Sequence, residues 1–219
     1  MEHKVSITCP ICKKTHDFPR VSIVDWSQDE SVKQKFEDGS LFECVCPECH
    51  FWAKLNYSYM YQDADIREYI YYSAEQAETA LQKDQIARNA MAMAQGKTND
   101  GLLRICYSEK DLKEKIAIFE NGRDDRIVEV CKALKAQEYP FTEELFVTDI
   151  RYMNIGGQEV LRIILSDGGE EYATDFDEAY TRMEVEFGPM LPPMRGNQFI
   201  CVDQTYISGL LREIIEGNM

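Results

Sequence analysis

Cys9-Pro10-Ile11-Cys12 and Cys46-Pro47-Glu48-Cys49 are the two stretches that decide how the N-terminal part of this chain folds. Two residues between cysteines let one tight turn aim both sulfurs at a single ion, and two such turns complete a tetrahedral shell. Each pair carries proline after its first cysteine, where a fixed φ helps set the turn. Two matched pairs are a strong zinc signature, so Cys9, Cys12, Cys46 and Cys49 are expected to hold one structural zinc ion. Four thiolates leave no open position for water or substrate, which argues against a catalytic zinc. A thioredoxin-like redox site would place a single Cys-x-x-Cys at a strand-to-helix junction, whereas both pairs here sit between extended segments.

Three neighbours could compete as ligands and are set aside. Cys44 lies upstream of its turn, where a strand cysteine commonly just packs. His50 follows Cys49 at a place where many such turns use glycine to relieve a left-handed backbone, so it bears on turn geometry rather than on ligation. His16 is the third.

Outward from the pairs, residues 4–8 alternate as a short strand into Cys9, and Ser31 to Asp38 reads as a short helix. Alternation over Leu41 to Gln62 predicts one long strand with Phe51, Ala53, Leu55, Tyr57, Tyr59 and Tyr61 on one face. Residues 67–73 are β-prone. Ala74 to Gln95, rich in Ala, Gln and Glu and free of Gly and Pro, predicts a connecting helix ended by the turn residues Gly96 to Gly101.

Leu102 to Tyr107 reads as a strand. Two helices then form a hairpin, with Leu112, Ile116 and Phe119 inward on one and Ile127, Val130, Cys131 and Leu134 on the other. Gly122 ends the first, Asp124 or Asp125 caps the second, and Tyr139-Pro140 closes it. Glu144 to Tyr152, Glu159 to Ser166 and Glu170 to Thr174 are separated by turn residues and predict an antiparallel meander. A terminal helix over Gln204 to Glu216 carries Ile207, Leu210, Leu211, Ile214 and Ile215. The expected class is therefore α+β: a zinc-ribbon-like antiparallel β unit over 1–73, a helical connector over 74–101 and an acidic α+β domain over 102–219.

The formal charge of −15 repels phosphate backbones and anionic headgroups. Residues 1–60 hold 7 basic and 9 acidic side chains, so −13 of that charge belongs to residues 61–219. No stretch approaches the roughly 20 apolar residues of a membrane span, and no leader-like apolar run opens the chain. A cytoplasmic location is expected, where eight cysteines stay reduced and paired ones favour metal over disulfides.

With its two pairs, the Asp38-Gly39-Ser40-Leu41-Phe42 stretch between them and the aromatic run after them, the chain resembles the CpXC-domain family. The likeness continues through Leu112 to Leu134, across Lys-Ile-Ala-Ile-Phe-Glu-Asn-Gly and Asp-Asp-Arg-Ile-Val-Glu. It implies a zinc-ribbon-like N-terminal unit with ligands at Cys9, Cys12, Cys46 and Cys49, and it brings no activity, substrate or catalytic residue. Lys13 and His50 stand where the family frequently has glycine.

The residues offer no nucleophile, base and orienter set and no phosphate-binding glycine loop. A structural-zinc protein acting as an interaction or adaptor module, with a protein partner, is the favoured expectation. Two alternatives stay open. Asp167, Glu170, Glu171, Asp175, Asp177 and Glu178 could gather a hard cation for an enzyme site, or Tyr57, Tyr59 and Tyr61 could stack nucleic-acid bases on an exposed strand. Cys106, Cys131 and Cys201 lie in apolar runs and are expected to pack.

Overall fold

The structure is a computed structural model that describes residues 2–25, 30–63, 66–95, 98–139 and 145–216. It is an α+β fold in two compact units, Met1–Ser108 with Arg195–Ile200, and Glu109–Met194 with Cys201–Met219. Gly96 and Lys97 of the expected turn, Pro140 at the expected helix end and Glu144 at the expected strand start lie outside the described residues.

In the first unit, β1 (Glu2–Thr8) and β2 (Thr15–Val21) form an antiparallel hairpin. After β3 (Ile23–Val24) and α1 (Glu30–Glu37) comes a second, shorter antiparallel pair, β4 (Glu43–Val45) with β5 (Trp52–Lys54). β6 (Tyr59–Asp63) and β7 (Glu68–Tyr72) pair antiparallel in a four-stranded sheet of order β3-β6-β7-β8. β8 (Leu102–Cys106) lies parallel to β7, and a parallel neighbour demands a crossover, which α2 (Ala80–Met93) supplies. All five residues of β7 and all five of β8 are buried, as befits strands without a solvent face.

The long strand expected over Leu41 to Gln62 is broken into three. β4 and β5 pair with each other around the second cysteine turn, and β6 leaves for the larger sheet. Residues 55–58 make the transfer. Leu55 N–H still bonds to Phe42 O (2.8 Å), whereas Ser58 Oγ already accepts from Ala74 N–H (3.0 Å) and Asn56 Oδ1 from Tyr72 Oη (2.7 Å). Behind this crossing sits an aromatic core in which Tyr59 stacks on Phe42 at 4.5 Å and lies 5.0 Å from Tyr72.

The connecting helix also starts later than its composition predicts, at Ala80 rather than Ala74. Thr79 and Gln82 form a reciprocal capping box, the Thr79 hydroxyl accepting Gln82 N–H while Gln82 Oε1 accepts Thr79 N–H. Those two satisfied amides set the boundary where an untidy apolar stripe could not.

The second unit opens with the expected hairpin, α3 (Glu109–Glu120) and α4 (Asp125–Gln137), turned by Gly122 at φ 68° and capped by Asp124, whose side chain accepts Arg126 N–H. Leu134, expected inside, is exposed. β9 (Val147–Ile155), β10 (Gln158–Leu165) and β11 (Glu170–Ala173) form the meander in the order β11-β10-β9. Register places Tyr152 beside Leu161 and Ile150 beside Ile163 on one buried face. α5 (Phe176–Phe187), a helix that the sequence reading does not place, packs Phe176 5.1 Å from Tyr152. α6 (Gln204–Ile215) closes the chain, capped by Asp203, with Ile207 and Leu210 buried.

Between these helices lies a buried ionic network that hydrophobic periodicity did not announce. Lys115 meets Asp125 (3.1 Å) and Glu129 (3.4 Å), and Lys132 meets Glu129 (2.9 Å) and Glu114 (3.1 Å). Gln204 Nε2 donates to Glu129 Oε2 at 2.7 Å, tying α6 to α4. Burial pushes the Glu129 carboxyl up, and the two ammonium groups more than reverse it.

Candidate metal centre

Each cysteine pair closes a small hydrogen-bonded knuckle at the end of a strand. After β1, Lys13 N–H bonds to Cys9 O (3.0 Å) and Cys9 N–H to Lys14 O (2.9 Å). After β4, His50 N–H bonds to Cys46 O (2.9 Å) and Cys46 N–H to Phe51 O (2.9 Å). The two turns thus repeat one design. To close it, Lys13 and His50 adopt left-handed backbones, φ 61° and 58°, where a Cβ is strained.

The knuckles bring Cys9, Cys12, Cys46 and Cys49 together with all four sulfurs within 4.8 Å of one another. Cys9 Sγ lies 3.6 Å from Cys49 Sγ, and Cys12 Sγ 3.6 Å from Cys46 Sγ. A disulfide would need about 2.05 Å. A tetrahedral metal–thiolate shell with bonds of about 2.3 Å has sulfur–sulfur edges of about 3.8 Å, which these spacings match. Four cysteines so placed are compatible with holding one metal ion. Cys9 and Cys46 are buried, and Cys12 and Cys49 are half-buried.

Backbone amides prepare the sulfurs for charge. The N–H groups of Cys12 and Ile11 bring the Cys9 thiol down to about 6 against the effect of burial. Cys46 is lowered in the same way by the N–H groups of Cys49 and Glu48. For Cys49, the Phe51 N–H pulls down but burial and the neighbouring sulfurs win, and the thiol rises to about 12. Cys12 is likewise raised, the Lys14 N–H notwithstanding. In each knuckle the first cysteine is therefore lowered and the second raised.

Among the described residues the four cysteines are the one group of His, Cys, Asp or Glu side chains placed to hold a metal ion, and neither His16, His50 nor Cys44 joins them. Cys44 is buried, its thiol raised by desolvation. The acidic residues of the second unit do not converge. Glu170 pairs with Arg162, Asp175 with Lys135, and Asp177 with Arg123, while Glu171 accepts from Tyr139 Oη. The supposed stacking face is also overturned: Tyr59 and Tyr61 are core residues, and Tyr57 is half-buried.

Four apolar side chains within three positions of the cysteines do face solvent: Ile11 (63% exposed), Val45 (50%), Phe51 (36%) and Trp52 (54%). Val45 and Trp52 are cross-strand partners in β4 and β5. Alternation over Leu41 to Gln62 gave no sign that Val45, Phe51 and Trp52 lie outside.

An α+β protein with a four-cysteine centre built from two Cys-Pro-Xaa-Cys knuckles is what the fold and the site define. The chain belongs to the CpXC family, whose model, described as CpXC protein, matches residues 7–132. The match takes in both knuckles, the four-stranded sheet and the α3–α4 hairpin as far as Lys132. No curated protein and no solved structure matches the chain.

Proposed function

We propose that Cys9, Cys12, Cys46 and Cys49 bind one structural zinc ion in a zinc-ribbon-like unit, and that this unit serves as a protein-interaction module in the cytoplasm. The sulfur spacing carries the metal assignment, since four cysteine sulfurs within 4.8 Å of one another, two of their pairs at 3.6 Å, suit the closed tetrahedral shell of zinc. All eight cysteines are free thiols, in keeping with a reducing compartment. No helix among the described residues is long and apolar enough to cross a membrane.

The exposed Ile11, Val45, Phe51 and Trp52 support the interaction reading. Large apolar side chains grouped around one rigid feature mark surfaces that are covered in use. The zinc would hold both knuckles in place and perform no chemistry on a substrate.

Metal analysis of protein purified without added zinc tests the first half. One zinc per chain is expected, and Cys12→Ser with Cys49→Ser should abolish it. Quantitative capture of partners by wild-type protein and by Ile11→Ser, Trp52→Ser tests the second. A partner retained equally by both proteins would remove the knuckle surface from consideration.

A further inference from the structure

The outer face of the meander holds a feature that the metal centre does not explain. Arg151 of β9 and Arg162 of β10 are direct cross-strand partners. Like charges directly opposite each other on a sheet are destabilising. Each guanidinium is steadied by carboxylates: Arg151 Nε donates to Asp149 (2.8 Å) and its Nη1 to Asp111 and to Glu114 (3.0 Å). Arg162 donates to Glu170 through Nε (3.0 Å) and Nη2. Among the described residues, Arg151 Nη2 and Arg162 Nη1 make no hydrogen bond. Two oriented guanidinium groups, each with one nitrogen to spare, thus stand side by side.

They line a cavity of about 420 Å³ lying wholly within the second unit. The volume falls in the range of small-molecule sites, roughly 300–1,000 Å³. Lys110 and Lys113 of α3 line it too, and Ala117, Met153 and Ile164 give it an apolar wall. Four cationic side chains therefore line one cavity with two carboxylates, Glu114 and Asp149, while Asp111 and Glu170 hold the two arginines from outside the lining. The contrast with the surroundings is large. The second unit holds 11 basic and 23 acidic residues, a charge of −12, and the first holds 13 and 16, a charge of −3. Cations are scarce there, and four of the eleven collect at this cavity.

We propose that this cavity binds a small organic oxyanion, a carboxylate or phosphate monoester carrying an apolar body. The planar fork of arginine suits both head groups, and the Ala117, Met153 and Ile164 wall suits the body. α3 lies inside the family-matched segment, whereas β9 and β10 lie beyond it, so the site joins family and non-family parts of the chain.

Calorimetric titration of the full chain with octanoate and with phenyl phosphate tests this, set against acetate, inorganic phosphate and the neutral octanamide. At least one of the first pair should bind below about 1 mM, with the head-only ions and the amide about tenfold weaker or worse. Arg162→Gln should weaken that binding about tenfold, the size of one lost charge-assisted hydrogen bond. Lys110→Gln, at an exposed position that leaves folding intact, should weaken it several-fold. Absence of binding by both amphipathic ions, equal binding of octanamide, or indifference to both substitutions would overturn the proposal.

Discussion

His50 and Lys13 show how much the centre asks of single residues. Both occupy the left-handed region, which disfavours any Cβ by about 1–2 kcal/mol and which glycine enters freely at some entropic expense in the unfolded chain. His50→Gly should therefore leave stability unchanged or raise it by up to about 1 kcal/mol, and His50→Val should lower it. Denaturant unfolding of the metal-loaded protein checks both. Cys9 carries a pH dependence of defined sign. Its thiol is lowered from 9.0 to about 6, so in the metal-free chain it favours folding fully above pH 9, and that contribution fades as pH falls to about 6. Protons compete with a cation for these thiols, so metal held at neutral pH should be lost on acidification. A metal-indicator dye followed through an acid titration reads this directly, and release already at neutral pH would contradict it.

Among the secondary-structure elements, two interactions invisible to periodicity decide stability. The Thr79 and Gln82 capping box starts α2, so Thr79→Ala should cost about 1 kcal/mol, seen as a lower unfolding midpoint and faster amide exchange in the first turn. The α3–α4 contact depends on Lys115 and Lys132 neutralising Glu114, Asp125 and Glu129. Lys132→Met would leave Glu129 with Lys115 and Glu114 with Arg151 as their remaining cations, one positive charge short in the interior, and should cost about 3 kcal/mol. Adding Glu129→Leu to that variant should recover part of the loss, because the paired removal leaves fewer buried charges unmatched. The lowered Glu129 carboxyl implies that this contribution is present above the ordinary carboxylate range and lost as pH drops below it.

For the molecule as a whole, two units of different construction predict an uneven response to metal removal. The knuckles hang on short two-stranded hairpins, which are marginal alone, while the second unit has its own aromatic and aliphatic core. Chelation should therefore strip hydrogen-exchange protection from β1, β2, β4 and β5 and leave that of β9 and β10 in place. Equal loss across both groups of strands would contradict a purely local role for the metal. Proteolysis within β4 or β5 after chelation should follow the same pattern.

That the four cysteines come together was legible because their spacing is a local, covalent property: two residues between sulfurs specify the turn wherever it is placed. So were the α3–α4 hairpin, the meander and the last helix, whose turn residues and apolar stripes are also local. Breaking Leu41 to Gln62 into strands of two different sheets was not legible, because alternation is identical whichever neighbour supplies the hydrogen bonds. Nor were the fate of Trp52, the pairing of Arg151 with Arg162, or the dispersal of Glu170, Asp175 and Asp177 onto separate cations. Those depend on which residues, far apart in the chain, the register brings opposite one another, and that is settled only when strands and helices close over a common core.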